Sequence, residues 1–458
     1  MSRCPDLCRR DNPSHSHHTT TMTTVAPTQT IPVKVLKKSS RPKDNWYYWE
    51  DVAHDLDGIS LPKSVKDEIL ACSLEYTRTV IPHWTNRARY VAFMRIIIMG
   101  IIAEFKGDLL DVTKGDNVLN YSLDGVLSDL FTGTPDPAGM AREYKTFLLC
   151  SGDKSSGRRS GEFFRRYVNN LAHSPRRYFR MRDSDALCRF TIAVALACGD
   201  HDDVWFTNEQ FDFLAELGDT MYDAVSFFKH RSEGETNSTF AYAPSDLRVA
   251  AFKQCREVLW ALNAAWNDRP EMACVTSFLR YFGGPLHMMM RRYRYVEEDM
   301  TMGREEDSEI VDQTRNNYKL WNRIDASKQR DQDADSVEKK RYENIVAHGD
   351  SLLFPGLARW LEDEGEGHCD TCLYRPSYGA ETTHCFGGVE LCESCRPQWR
   401  DHVLSFRERA AKVFPELRPV YKRAAEDIIA PASKRTCVEA TKAATENAPA
   451  SPDSGVCV

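Results

Sequence analysis

Residues 89–105, RYVAFMRIIIMGIIAEF, constrain the fold more than any other part of the chain. Residues 96–103 carry no polar side chain, and Arg95 and Glu104 stand at the two ends of this run. A helix that is apolar on every side must be surrounded by other elements. The run is too short to span a membrane. We therefore predict a buried helix at the centre of a larger helical core.

Helical periodicity continues through most of the chain from about residue 64 to residue 295, and strand-like alternation is scarce. Further helices are predicted at residues 65–80, 161–171, 185–198, 208–230 (one helix or a broken pair), 247–266 and 275–296. The predicted fold class is all-α, with a single large helical domain and a small C-terminal module that contains a cysteine cluster.

Composition divides the 458 residues into five regions. The predicted regions are a disordered tail at 1–44, a helical catalytic domain at 45–300, a charged helical or loop connector at 301–345, a Cys4 zinc module at 346–418 and a second disordered tail at 419–458. The net charge of −7 argues against nucleic acid as a partner. No secretory signal or membrane span is visible, so we expect a cytoplasmic protein without stable membrane insertion.

Two CxxC pairs form the strongest local motif. Cys369 and Cys372 form the first pair, Cys392 and Cys395 form the second, and 19 residues separate the two pairs. Two such pairs supply four thiolates in a tetrahedron, which is the ligand set of structural zinc. Four cysteines leave no open coordination position, so a structural zinc is favoured over a catalytic one. His384 and Cys385, which lie between the pairs, are alternative ligands.

Carboxylates at two places are candidates for chemistry. Glu104 ends the apolar run, where it is either a residue of the last helical turn that reaches water or a buried carboxylate that moves protons or binds a cation. Asp219 and Asp223 lie one helical turn apart in a stripe with Ser226 and His230. Two such carboxylates can share Mg²⁺, although a solvated polar face gives the same pattern.

A further cluster follows in GGPLHMMMRRYRYVEE. His287, Arg291 and Tyr295 share one helical face, and Arg292 and Arg294 flank it. Arginines beside methionines suit a ligand with an anionic head and a hydrocarbon tail. The alternative is a surface basic face paired with neighbouring glutamates. Together, this cluster, the acidic stripe and the apolar helices indicate a pocket of the terpenoid-synthase type. In such a pocket Mg²⁺ and arginines would bind a diphosphate, and the apolar helices would contact the prenyl chain.

Several long segments of the chain resemble one family. They are WTNRARYVAFMRIIIMGIIAEFKGD, RMRDSDALCRFTIA, YDAVSFFKHRSEGETNSTFAY, FGGPLHMMMRRYRYVEE and FGGVELCESC. These segments closely resemble the fungal α-ionylideneethane synthases, unusual sesquiterpene synthases of abscisic acid biosynthesis. The resemblance runs from about residue 46 to residue 415 and includes both CxxC pairs.

The resemblance implies a Mg²⁺-dependent lyase that converts farnesyl diphosphate to α-ionylideneethane and releases diphosphate, through neutral polyenes and internal proton transfers. Pathway oxidases would act on the product. The DDxxD motif of ordinary class I terpene synthases is absent. Glu104 lies inside a matching segment and is therefore a candidate catalytic residue by position. The other candidate catalytic residues, Asp219, Asp223 and His287, come from the helical spacing described above, and the three carboxylates are also candidate Mg²⁺ ligands. The candidate diphosphate-binding residues are Asn237, Arg291, Arg292, Arg294 and Tyr295.

Two other hypotheses stay open at this point. A zinc-containing scaffold without catalysis explains the CxxC pairs alone, and it predicts no turnover of a prenyl diphosphate. A related prenyl-diphosphate enzyme with another product would have the same fold with a different cavity contour.

Overall fold

The computed structural model describes residues 46–171, 173–227, 230, 237–290, 334–363, 369, 371–375 and 388–429. The predicted tail at 1–44 and most of the connector at 301–345 therefore lie outside the described residues. All the described residues belong to one contact unit that begins at Trp46. Within the described part, no helix is both long enough and apolar enough to cross a membrane.

The described chain is mostly helical, as predicted. Its α-helices, in order, are α1 (Lys63–Val80), α2 (Arg87–Phe105), α3 (Leu123–Phe131), α4 (Pro137–Lys154), α5 (Glu162–Leu171), α6 (Pro175–Ala186), α7 (Cys188–Cys198), α8 (Asn208–Val225), α9 (Thr239–Tyr242), α10 (Arg248–Ala265), α11 (Met272–Phe282), α12 (Leu286–Met289), α13 (Ala334–Ala347), α14 (Gly349–Leu352), α15 (Leu357–Glu362), α16 (Arg396–Val403), α17 (Phe406–Val413) and α18 (Leu417–Ile429).

Helix α2 is the buried central helix that the sequence predicts. The side chain of Asn86 accepts a hydrogen bond from the Arg89 amide and caps its first turn. Fifteen of its 19 residues are buried, because α1, α3, α4 and α7 surround it. An apolar helix without a polar face is stable in water only inside such a ring.

The predicted helix at 185–198 proves to be the end of one helix and the whole of another. Helix α6 ends at Ala186, and Leu187 adopts a left-handed conformation with φ of 58°. Asp183 stabilises the break, because its Oδ1 accepts a hydrogen bond from the Arg189 amide at 2.9 Å in the first turn of α7. A left-handed leucine has no signal in the sequence, since glycine or asparagine usually occupies such a position.

Two other predicted helices end early. Helix α8 begins with a capping box between Thr207 and Gln210 and ends at Val225. Of the two alternatives for residues 208–230, the single continuous helix is therefore wrong. The 275–296 prediction is divided at GGP: α11 ends at Phe282, and α12 covers only Leu286–Met289. The remainder of that prediction lies outside the described residues.

The described strands form two short antiparallel pairs. β1 (Asn117–Val118) pairs with β2 (Tyr121–Ser122), and β3 (Leu373–Arg375) pairs with β4 (Gly388–Glu390). The second hairpin joins the two CxxC pairs, because β3 follows Cys372 directly and β4 ends shortly before Cys392. The hairpin thereby brings distant cysteines together.

The C-terminal helices pack on the larger helical bundle. Helix α13 lies on α5, α17 on α8 and α10, and α18 on α10. Arg341 of α13 binds the buried Asp153 of α4 with an Nη1–Oδ2 distance of 2.7 Å. These contacts make the last part of the described chain part of the same core. Helix α18 also shows that the region predicted as a tail from residue 419 is helical as far as Ile429. The terpenoid-synthase arrangement of the helices and the other region boundaries stay predictions.

Candidate active site

Helix α8 carries Asp219 and Asp223 into the interior. They lie one turn apart and therefore on one face of the helix, and both side chains are 0% exposed. Helices α6, α7, α10 and α11 pack around α8. The alternative of a solvated acidic face is therefore wrong for this stripe, and these two carboxyl groups need partners or protons in the core.

Asp223 has a full set of partners. Arg182 of α6 donates from Nε to Oδ2 at 3.0 Å and from Nη2 to Oδ1 at 2.8 Å. The amide and the hydroxyl of Thr239 both donate to Oδ2 at 2.7 Å. The four bonds tie α6, α8 and α9 together at one carboxylate. A metal ion could use Asp223 only by displacing some of these donors.

Asp219 has a different environment although it is only one turn away. Neither of its carboxyl oxygens has a hydrogen-bond partner among the described residues. Burial raises the pKa of Asp219 well above its usual value, and the nearby carboxylates of Asp183 and Asp223 raise it further, which Arg182 only partly offsets. The group therefore holds its proton at a pH at which an exposed aspartate has lost it.

Arg182 is a central residue of this cluster that the sequence did not single out. Besides Asp223, it contacts Asp185 with an Nη1–Oδ2 distance of 3.1 Å, and Asp185 in turn accepts from Lys154 at 2.9 Å. Both Arg182 and Asp183 are buried in the charged run RMRDSD. A run with this many charged residues usually lies on the protein surface. The burial of Arg182 is therefore evident only from its ion pairs in the folded structure.

His287 belongs to the same region of the core. It is buried, and the centroid of its ring lies 4.4 Å from that of Tyr222. On the other side, Tyr222 lies 5.6 Å from His230, whose Nδ1 is 3.4 Å from Asp223 Oδ1. The structure thus brings the predicted His287 and Asp223 to one aromatic and imidazole cluster around Tyr222.

The predicted diphosphate-binding residues are only partly within the described chain. Asn237 is buried, and its Nδ2 donates to the Tyr167 hydroxyl at 3.1 Å. Tyr167 in turn donates to the carbonyl of Met181 at 2.8 Å, so Asn237 lies beside α6. Arg291, Arg292, Arg294 and Tyr295 lie outside the described residues, and their role stays a prediction.

Glu104 lies in the last turn of α2 and is half-buried. Its charge contributes to the raised pKa of Tyr144, although burial is the larger cause. The position in the last turn is that of the first alternative for Glu104, and the partial burial lies between the two alternatives. Its catalytic and metal-binding roles stay predictions.

A cleft of about 750 Å³ lies between α6, α8 and the C-terminal helices. Its lining includes Phe179, Arg180, Glu216, His402 and Arg409, and contains neither Asp219 nor Asp223. The deeper charges in the cleft are already paired: Arg180 with Glu143, Arg189 with Asp212, and Arg409 with Glu216. The cleft is therefore mainly a junction between elements.

The four cysteines of the CxxC pairs come together as predicted. Their sulfur atoms lie within 4.8 Å of one another, and the Sγ atoms of Cys369 and Cys392 are 3.7 Å apart. Zinc–sulfur bonds of about 2.3 Å in a tetrahedron place sulfurs about 3.8 Å apart. The observed spacing fits this geometry, so the cluster can hold a metal such as zinc. His384 and Cys385 lie outside the described residues.

The four thiols of the cluster differ in acidity. A hydrogen bond from Ser394 lowers the pKa of Cys392 to about 6, whereas burial and the neighbouring thiols raise the pKa of Cys395 to about 12. Four thiolates this close repel one another, and a divalent ion removes that repulsion. Elsewhere in the described chain, no other group of three or more His, Cys, Asp or Glu side chains brings its ligand atoms this close together. The described residues therefore do not assemble a comparable carboxylate site for Mg²⁺.

Comparison with known proteins covers most of this core. The sequence model of the family described as alpha-ionylideneethane synthase aba3 matches residues 44–416. This chain belongs to that family. It is 61% identical to alpha-ionylideneethane synthase aba3 of Botryotinia fuckeliana (strain B05.10) over 376 residues, which are 82% of this chain and 84% of the relative.

Two further relatives carry the same enzyme name. Alpha-ionylideneethane synthase abl3 of Leptosphaeria maculans is 57% identical over 82% of this chain and 87% of its own length. The abl3 protein of Pyricularia oryzae is 50% identical over 82% of this chain and 84% of its own length. The family match includes α1 to α17, both CxxC pairs and the buried cluster around Asp219.

Proposed function

We propose that this chain is a sesquiterpene synthase that converts farnesyl diphosphate to α-ionylideneethane, an early step of abscisic acid biosynthesis. The observation that carries the proposal is the family match over residues 44–416, together with relatives of 50–61% identity that bear this enzyme name. In reaction terms the chain would be a carbon–oxygen lyase that acts on a diphosphate ester.

The reaction requires a group that can both give and take a proton. When the carbon–oxygen bond breaks, its electron pair leaves with diphosphate, and loss of a proton to that diphosphate gives a neutral polyene. Protonation of the polyene at another carbon then allows ring closure, and a final deprotonation restores a neutral hydrocarbon. The sum is farnesyl diphosphate to hydrocarbon, diphosphate and one proton.

Asp219 has the properties required for the second and third of these steps. Its carboxyl group is buried, has no hydrogen-bond partner among the described residues and has a raised pKa. A neutral carboxyl can donate its proton to a double bond, and the resulting carboxylate can take a proton back. We assign this role to Asp219, while Asp223 and Arg182 fix the surrounding charge.

The remaining assignments follow the residue patterns together with the resemblance. His287 and Glu104 are candidate proton carriers, and Asn237 with Arg291, Arg292, Arg294 and Tyr295 are candidates to bind the diphosphate. Magnesium dependence is also proposed from the resemblance, and no step of the reaction is derived through the ion. The Cys4 cluster is proposed to hold a structural zinc, which would supply no chemistry to the substrate.

The decisive experiment is incubation of the purified full-length chain with farnesyl diphosphate and Mg²⁺, with hydrocarbons identified by gas chromatography and mass spectrometry. α-Ionylideneethane, formed with Mg²⁺ and lost on chelation with EDTA, is the expected result. A folded, zinc-loaded protein that forms no hydrocarbon would overturn the proposal. A different hydrocarbon would keep the reaction class and replace the product.

A further inference from the structure

Helix α16 begins at the second CxxC pair. Cys395 is its N-cap residue, the Arg396 amide donates to the carbonyl of Cys392 at 3.0 Å, and the Trp399 amide donates to the carbonyl of Cys395 at 3.4 Å. The backbone of two cysteine ligands is therefore part of the first turn of α16. The position of these two cysteines therefore helps to set the position of the first turn of this helix.

Trp399 of α16 packs on the helix that carries Arg182. Its buried ring lies 5.7 Å from the ring of Tyr178 on α6, one turn before Arg182. Tyr178 in turn lies 4.7 Å from Tyr242 on α9. Strand β4 also packs against α9. The aromatic contacts thus connect the cysteine module to both partners of Asp223, since Thr239 begins α9.

His402 connects α16 to the helix that carries Asp219. It lies one turn after Trp399, and its Nε2 is 2.9 Å from Glu216 Oε1 on α8, one turn before Asp219. The His402 ring stacks on Phe179 of α6 at 5.4 Å. Arg409 of α17 donates to Glu216 Oε2 at 2.8 Å. Helix α16 thus contacts both helices of the buried cluster.

We propose that the Cys4 metal centre positions the buried Asp219–Asp223–Arg182 cluster through Trp399 and His402 of α16. These two are positioning residues, because they contact α6 and α8 rather than the reacting groups. The inference rests on the proposed function for its activity readout. Displacements near 1 Å can reduce turnover about 100-fold, so a small movement of α16 is sufficient for a measurable effect.

The test compares the full-length zinc-loaded protein with its Trp399→Ala variant. Three quantities are measured: zinc content, turnover of farnesyl diphosphate, and hydrogen exchange of the amides in residues 239–243. The Thr239 amide donates to Asp223, and the Ala243 amide donates to the Thr239 carbonyl, so their exchange reports directly on the cluster. Wild-type protein stripped of zinc is measured in parallel.

Trp84→Ala is the matched control. Trp84 stacks on Tyr90 of α2 at 4.8 Å, so the same substitution removes an aromatic contact that involves neither the cysteine module nor α6. Trp399→Phe tests rescue by an aromatic ring. Trp399→Leu replaces Trp399→Ala if the smaller side chain prevents folding.

We expect Trp399→Ala to keep its zinc, to exchange the amides of residues 239–243 at least about 10-fold faster and to lose at least about 10-fold in kcat. Zinc removal should likewise speed the exchange and lower kcat. Trp399→Phe should have nearly wild-type exchange and kcat, and Trp84→Ala should leave both unchanged. Folded Trp399→Ala or Trp399→Leu protein with wild-type kcat and exchange would overturn the inference. If the wild type makes no hydrocarbon, the proposed function fails, whereas the exchange comparison still decides the coupling.

Discussion

Asp219 and Asp223 are the same residue type on the same helical face, but their surroundings differ. Asp223 accepts four hydrogen bonds from Arg182 and Thr239. Asp219 has no hydrogen-bond partner among the described residues, and burial raises its pKa. A pair of carboxyl groups whose environments differ in this way is typical of acid–base sites. The difference leads to opposite expectations for the two asparagine substitutions.

Asp219→Asn should remove activity and leave stability intact or higher. Asparagine keeps the shape of the side chain but has no proton to transfer, and general acid–base catalysis contributes about 10²- to 10⁴-fold. The variant also removes a buried carboxyl group whose pKa is higher in the folded than in the unfolded protein. Such a group destabilises the fold at any pH above its pKa in the unfolded chain. We expect at least about 100-fold slower hydrocarbon formation with an unchanged or raised Tm. Near-wild-type turnover would exclude Asp219 as the proton carrier.

Asp223→Asn should act first on stability. The substitution leaves Arg182 buried without its main counter-charge, and breaking a buried ion pair in this way costs about 3–5 kcal/mol. Thermal unfolding of the variant, compared with that of Asp219→Asn, measures this cost. A Tm equal to that of Asp219→Asn would show that the four bonds at Asp223 contribute little.

The sequence predicted these residues unevenly, for physical reasons. The spacing of Asp219 and Asp223 was sufficient to place them on one face, because helical periodicity is local. Arg182 could not be selected, because its charge is compensated by Asp223, which is distant in sequence. The half-buried position of Glu104 depends on where α2 ends, and helix ends are set by a few residues of competing turn and cap interactions.

At the scale of elements, the periodicity of apolar residues identified the helices. The ends of the helices were set by caps, turns and a left-handed residue, which periodicity does not show. Helix α2 was predictable because its apolar residues cover every side. The break at Leu187 was not, because a left-handed position is usually occupied by glycine or asparagine, whereas here a leucine occupies it beside the hydrogen bond from the Arg189 amide to Asp183. The cysteine module followed from ligand spacing alone, but its packing on α6 and α8 depends on Trp399, His402 and Arg409, which carry no motif.

Glu216 is the ionic link between α8 and the two C-terminal helices α16 and α17. Although burial opposes its ionisation, Arg409 and then His402 lower the pKa of Glu216 to about 2. A carboxyl with a lowered folded pKa stabilises the fold above its unfolded pKa of about 4.3, and that stability is lost as the pH falls toward 2.

Glu216→Gln should therefore destabilise the protein by roughly 3 kcal/mol at neutral pH. The difference in unfolding free energy between wild type and variant should decrease as the pH is lowered from 5 toward 3. Chemical denaturation at several pH values measures it. A difference that does not change with pH would mean that the charge of Glu216 is not the source of the stability.

The cysteine cluster predicts one zinc ion per chain. Elemental mass spectrometry of the purified protein should give a stoichiometry of about one, and Cys392→Ser should lose the metal because three thiolates bind zinc less tightly than four. Cys274→Ser is the control, since Cys274 lies outside the cluster with its thiol directed at the Glu271 carbonyl. Full zinc occupancy in Cys392→Ser would contradict the ligand set.

At the scale of the whole molecule, the family match and the packed core have nearly the same N-terminal limit but different C-terminal limits. The match begins at residue 44, and the described chain begins at Trp46. At the other end the match stops at residue 416, whereas α18 continues to Ile429 and packs on α10. Leu417, the first residue of α18, is fully buried. Within the described residues, the packed core thus extends beyond the matched region at its C-terminal end.

Truncations of the two ends should therefore differ in effect. Removal of residues 2–43 leaves the matched region and the described core complete, so we expect hydrocarbon formation within about two-fold of wild type and an unchanged Tm. Removal of residues 417–458 takes away α18 and exposes the face of α10 that it covers, so the Tm should fall by several degrees. The two truncations are compared by differential scanning calorimetry and the farnesyl diphosphate assay. Loss of activity in the first, or an unchanged Tm in the second, would show that the catalytic core has other limits than α1 to α18.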